Sequence, residues 1–110
     1  MLVRQDETGH FTVGDVVFEP GCRNNWHTHP AGQILLVTHG EGFYQERGKR
    51  ARKLSAGDVV IIPSGVEHWH GAAAAKGLTH IAVTNFTAEG AVKWLDAVTD
   101  EEYKAVNDEL

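Results

Sequence analysis

Between Phe11 and Asn85, glycine and proline cut this chain into short apolar pieces. FTVGDVVFE (residues 11–19) stops at Pro20-Gly21, NWHTH at Pro30, QILLVTHG (33–40) at Gly40 and GDVVIIPSG (57–65) at Gly65. EGFYQERG leads into a turn centred near Gly48, and EHWHG and LTHIAVTNF complete the series. Pro removes a backbone donor and ends regular pairing. Strand-like runs recurring at intervals of roughly 8–12 residues imply an all-β sandwich or small barrel. A parallel α/β fold needs helical patterns between its strands, and none lies there.

The C-terminal stretch changes character. Thr99 and Glu102 form a capping box, and Val98 and Tyr103 occupy the staple positions that fix a chain's entry into a helix. TDEEYKAVNDEL is therefore expected as a short terminal helix, and AVKWLDAV before it as further helix. The expected organisation is one domain over residues 1–110, with a barrel core over about 11–86 and a helical tail over about 91–108. A chain of 110 residues suits a single domain, and 42% hydrophobic residues suit a modest core.

Charge and cysteine content narrow the partners. A formal net charge of -5 argues against nucleic acid or an anionic membrane surface. The only cysteine, Cys22, has no intrachain partner for a disulfide. MLVRQDETGH is polar, with no signal-like segment, and no apolar run approaches the ~18 residues of a membrane span. A reducing, cytoplasmic setting is expected.

Seven histidines in so short a chain make their placement the main functional clue. Side chains alternate faces along a strand, so His27 and His29 point one way and Trp26 and Thr28 the other. In HWH, His68 and His70 share a face, with Trp69 opposite. In LTHIAVT, His80 lines up with Ala82 and Thr84. Three separate strands thus offer imidazoles to one interior, and neutral imidazoles suit Zn, Cu, Fe, Ni and Mn. Gln33 can add an oxygen from its side-chain carbonyl. His39, at a strand end, is expected to be solvated, and His10 to play no part.

These residues carry a family resemblance. Gly21, His27, His29, Gln33 and Gly40 fall at the spacing of the first cupin motif, and Gly57, Pro63, Gly65 and His68 at that of the second. The chain resembles the small single-domain bacterial cupins that include manganese-dependent hydroxynitrile lyases, often described alongside carboxymuconolactone decarboxylase-type proteins. WHTHPAGQ, GDVVIIPSGVEHWHGA, LTHIAV and VTDEEY carry this narrower likeness. The resemblance implies a double-stranded β-barrel of jelly-roll type with a short C-terminal helix. It implies one divalent metal on His27, His29, Gln33 and His68, manganese first, with Fe, Ni, Co and Zn open. It maps a candidate acid/base onto His80. Gln33 stands where the first motif usually has Glu, and Ala72 where the second usually ends in Asn.

The Gln is expected to matter chemically. A carboxylate would neutralise part of the metal's charge, whereas an amide leaves it whole, so a hydroxyl at the open position gives up its proton more readily. The leading expectation is a metal-dependent lyase, hydroxynitrile lyase-like or decarboxylase-like, acting on a small organic substrate. In a cyanohydrin, His80 would accept the hydroxyl proton, while His70 would orient His68 or act as a pocket donor. An iron-dependent dioxygenase, or a non-catalytic cupin that binds a metal or small ligand, is the alternative. Leu35 and Val37 share Gln33's face and are expected to wall a small apolar cavity. Trp26 and Trp69 face away from the metal, either to a subunit contact in a homodimer or homotetramer or to the underside of the helix with Trp94.

Overall fold

The computed structural model describes residues 2, 11–88 and 90–109. Among the described residues, eight strands precede one helix: β1 Phe11–Phe18, β2 His27–Thr28, β3 Gln33–Glu46, β4 Arg52–Ser55, β5 Val59–Ile62, β6 His68–Ala72, β7 Leu78–Asn85, β8 Lys93–Trp94 and α1 Asp100–Glu109. Each strand ladder is antiparallel, and the sheet curls as β1-β7-β3-β6-β2-β8, with β4 and β5 also pairing β3.

The long β3 makes the barrel. Its first half, from Gln33, pairs with β5 and β7, and its second half, from Glu41, pairs with β4 and β6. Between them the register slips at Val37/His39, a bulge that bends the strand from one layer into the other. Gly40 follows the bulge with φ 83°, and a Cβ there would lie 1.9 Å from the Gly77 carbonyl oxygen. Only glycine meets both demands.

Strand alternation sorts the apolar residues into two cores. Leu35, Val37, Tyr44, Leu54, Val60, Ile62, Ala72, Leu78 and Ala82 fill the barrel. On the outside of β3 and β6, Phe43 and Trp69 join Trp26, Ala51, Val98, Tyr103 and Val106 beneath α1. The capping box forms: Thr99 N–H donates to Glu102 Oε1 (2.9 Å), and Glu102 N–H donates to Thr99 Oγ1 (3.0 Å). Val98 and Tyr103 are buried together, as a staple requires. Arg23 adds a brace, its guanidinium over the Tyr103 ring at 4.4 Å and donating to the Val98 carbonyl at 2.9 Å.

One expectation changes here. AVKWLDAV is not helical: Lys93 and Trp94 pair with Thr28 and His27. Trp26 N–H donates to the Asp96 carbonyl and Leu95 N–H to the Trp26 carbonyl, so a neighbouring backbone outcompetes local helix propensity. The RKLS strand, β4, carries little alternation, and its pairing with β3 across the Gly48 turn is what makes it a strand. Of the two places open to the tryptophans, Trp26 and Trp69 take the one beneath the helix, whereas Trp94 is 57% exposed and lies at the cavity instead. His10 lies outside the described residues.

Candidate metal centre

β2 is only two residues long, yet its pairing places the site. His27 stands directly opposite His68 on β6, and their ring centroids are 4.2 Å apart. His29 follows β2 with its ring 4.9 Å from His27 and 5.3 Å from His68. Its carbonyl accepts from Gly32 and Gly65 N–H, which ties this turn to the one after β5. Gln33 opens β3 opposite Thr84 of β7.

Each of these imidazoles is held at the same atom. Nδ1 of His27 donates to the Asn25 carbonyl (2.7 Å), that of His29 to Ala91 (2.8 Å) and that of His68 to Val66 (2.9 Å). A carbonyl only accepts, so Nδ1 carries the proton and Nε2 keeps its lone pair. Nε2 of His29 and of His68 is buried with no hydrogen-bond partner. Gln33 Nε2 donates to Thr84 Oγ1 at 2.9 Å, and Gln33 Oε1 is likewise buried and unpartnered. Buried polar atoms are rarely left unmatched, and here those atoms are lone pairs on neighbouring side chains. That donor chemistry fits a divalent transition metal.

Burial keeps these rings neutral. Desolvation, then the facing His68, lowers His27 to about 3. Desolvation lowers His68 to about 4 against the pull of the Val66 carbonyl. His29 is lowered by burial, offset in part by the Ala91 carbonyl and the facing Gln33. His70 is lowered well below its ordinary value by burial and by the other rings, and His80 by burial, with the nearby Ile81 backbone and Asp15 pulling the other way.

A cavity of about 390 Å³ opens on this cluster, with His27, His29, Gln33, His70 and His80 in its lining. His80 is fully buried, and neither of its ring nitrogens has a hydrogen-bond partner. His70 and His80 meet edge to face at 4.9 Å. The structure therefore brings His27, His29, Gln33, His68, His70 and His80 to one end of the barrel. His39 is exposed and donates to or accepts from Thr38 Oγ1, away from this group.

Nitrogen spacing alone groups the rings differently from the set implied by resemblance: His27, His68 and His70 have nitrogens within 4.8 Å of one another. The cavity walls also differ from expectation. Leu35 and Val37 are packed into the barrel core, and the walls come from Val16, Phe18, Ala82, Phe86, Val92 and Trp94. Inward parity is shared by residues at different depths, and only the barrel's closure decides which of them meet solvent. Three contributors went unread in the sequence. Asn24 touches His70, Trp94 lies 4.8 Å from the His27 ring, and Thr84 orients Gln33. Their partners are distant along the chain, so no local spacing marks them.

Comparison with known proteins places these features. A cupin-domain family model matches residues 14–84. The (R)-mandelonitrile lyase of Granulicella tundricola is 47% identical over 89 residues, covering 81% of this chain and 68% of that protein. The acireductone dioxygenase of Trichormus variabilis is 35% identical over 97 residues, covering 76% of this chain, which spans 52% of that enzyme's length. A cupin-like protein from Thermotoga maritima superposes with a TM-score of 0.95 at 52% identity, covering 100% of this chain and 84% of its own.

Proposed function

This chain belongs to the cupin family, and from that premise we propose that it is a metal-dependent lyase that cleaves small α-hydroxynitriles. One observation carries the reading. Three imidazoles locked at Nδ1 by backbone carbonyls and an unpartnered Gln33 Oε1 leave lone pairs beside an apolar cavity that His27, His29 and Gln33 line. His27, His29, Gln33 and His68 would hold the metal, with manganese the first expectation and Fe, Ni, Co and Zn meeting the same donor set. A bound divalent metal supplies Lewis-acid polarisation of a substrate oxygen.

The chain's own residues supply the rest. Gln33 is neutral, so it contributes an oxygen without cancelling positive charge at the site. His80, neutral and unpartnered, accepts the substrate hydroxyl proton as the carbon–carbon bond breaks and the electron pair leaves with cyanide. The products are the carbonyl compound and, once cyanide regains that proton, hydrogen cyanide. Val16, Phe18, Phe86, Val92 and Trp94 pack an apolar substituent and exclude water.

Metal analysis of the purified protein, followed by cyanide detection with mandelonitrile, tests this. We expect about one metal per chain and metal-dependent cyanide release. Metal binding without cyanide release would sink the lyase reading. The similarity to a dioxygenase supports the second reading, and oxygen uptake in the same preparation would favour it. No helix among the described residues is long and apolar enough to cross a membrane. A cytoplasmic homodimer completes the proposal, with Ile34, Leu36, Val59 and Ile61 as the contact, since these neighbours form an exposed apolar strip on the outer sheet.

A further inference from the structure

We propose that Asn24 is a positioning residue that sets the tautomer of His70, making this ring a hydrogen-bond donor in the cavity and withholding it from the metal. The proposal rests on the metal-site reading above. His70 shares a 4.8 Å nitrogen cluster with His27 and His68 but is wired unlike them.

The backbone N–H of His70 donates to Asn24 Oδ1 at 3.0 Å. A backbone N–H only donates, so the amide oxygen of Asn24 is identified by its partner, and the amide nitrogen occupies the other position. That nitrogen lies 3.2 Å from His70 Nε2. An amide NH₂ only donates, so Nε2 is the acceptor, and the proton of the neutral ring sits on Nδ1. Asn24 N–H also donates to the His70 carbonyl at 3.2 Å, tying the two residues at three points. Gly71 permits this approach: a Cβ on it would lie 2.6 Å from Arg23 Cα.

The contrast with the neighbouring rings is chemical. In His27, His29 and His68 the Nδ1–H is occupied by a carbonyl, and in His29 and His68 the vacant buried atom is the Nε2 lone pair. In His70 the Nε2 lone pair is occupied by Asn24, and the vacant buried atom is Nδ1, which bears the proton. Distance groups His70 with His27 and His68. Hydrogen bonding separates it, because neither of its nitrogens has a lone pair to give. His29 therefore takes the ligand position that spacing alone would award to His70. Asn24 and His70 both line the cavity, so the free Nδ1–H is available to a negative or partly negative group of a bound substrate. His80 is left as the proton acceptor.

Two measurements test this, neither needing turnover. Long-range ¹H–¹⁵N correlation on metal-free, ¹⁵N-histidine-labelled protein at neutral pH reports the tautomer of each ring, with His70 assigned by comparison with His70→Gln. We expect Nδ1–H at His70 in the wild type and a switch to Nε2–H in Asn24→Asp, whose carboxylate accepts from Nε2 and still takes the His70 backbone N–H. Nε2–H in the wild type, or an unchanged tautomer in Asn24→Asp, would overturn the assignment. Metal titration gives the second readout. His70→Gln should hold metal within about tenfold of wild type, and His29→Gln should lose more than the roughly 10–100-fold that an outer-shell partner costs. The reverse order would make His70 the ligand and overturn the proposal. A wild type that binds no metal would remove the metal-site reading, while the tautomer spectrum would still decide the role of Asn24.

Discussion

Gln33 is held by one end: Thr84 takes its amide N–H and leaves its oxygen unmatched. Substituting Gln33→Glu keeps the shape and adds a negative charge beside the imidazoles, and Thr84 Oγ1 can reverse its role and donate. Metal should dissociate more slowly from this variant, and mandelonitrile cleavage should fall about tenfold or more, because the added charge weakens the acidifying effect on the substrate hydroxyl. Metal-release and cyanide-release rates measured side by side check this. Unchanged or faster turnover would contradict the role given to Gln33. At this scale the histidine pairs were readable from strand alternation alone, since period two puts both members on one face. Asn24 was not, because its partner His70 lies 46 positions away and an asparagine beside a strand is ordinary turn chemistry.

Helix α1 illustrates an element legible from its own residues. Thr99 and Glu102 cap it reciprocally, Asp100, Glu101 and Glu102 complement its N-terminal dipole, and Tyr103 and Val106 dock it over Trp69. Thr99→Ala should cost about 1 kcal/mol, read as a lower urea midpoint at unchanged slope. Cyanide release by the folded variant should stay at the wild-type level, because the helix covers the face of β6 opposite the histidines. A changed rate would show that helix and site are coupled. β8 was illegible for the converse reason. KWLD has no strand pattern, and Lys93 and Trp94 become a strand only by pairing with Thr28 and His27 of β2.

Across the whole molecule, the buried histidines link stability to pH. In the unfolded chain each titrates near 6.5, whereas in the folded metal-free protein His27 titrates at about 3 and His68 at about 4. Between those values the unfolded state binds more protons, so stability is full above pH 6.5 and falls as pH drops toward the folded values. At pH 5 the loss is on the order of 2 kcal/mol for each of these two rings. Denaturant melts of the metal-free protein from pH 7.5 to 4.5 should show it, and added divalent metal should move the decline to lower pH. A flat profile would mean that these rings are not buried neutral. The assembly has its own test. Ile61 is 72% exposed in the apolar strip beside Ile34 at 40%, so Ile61→Lys should convert a dimer to a monomer by light scattering. A monomeric wild type would exclude that contact.

Short strands, a capped terminal helix, two inward histidine pairs and a glutamine in the first motif were all determined by the sequence itself. Each depends on alternation, turn chemistry or capping, which act over a few residues and leave a local trace. Tertiary structure alone decided which imidazoles meet, which nitrogen of each is free, and which inward residues line a cavity and which fill the core. Those outcomes depend on cross-strand register and on carbonyls and amides brought from distant segments. A neutral imidazole can carry its proton on either nitrogen, and only the partner that folding supplies selects one.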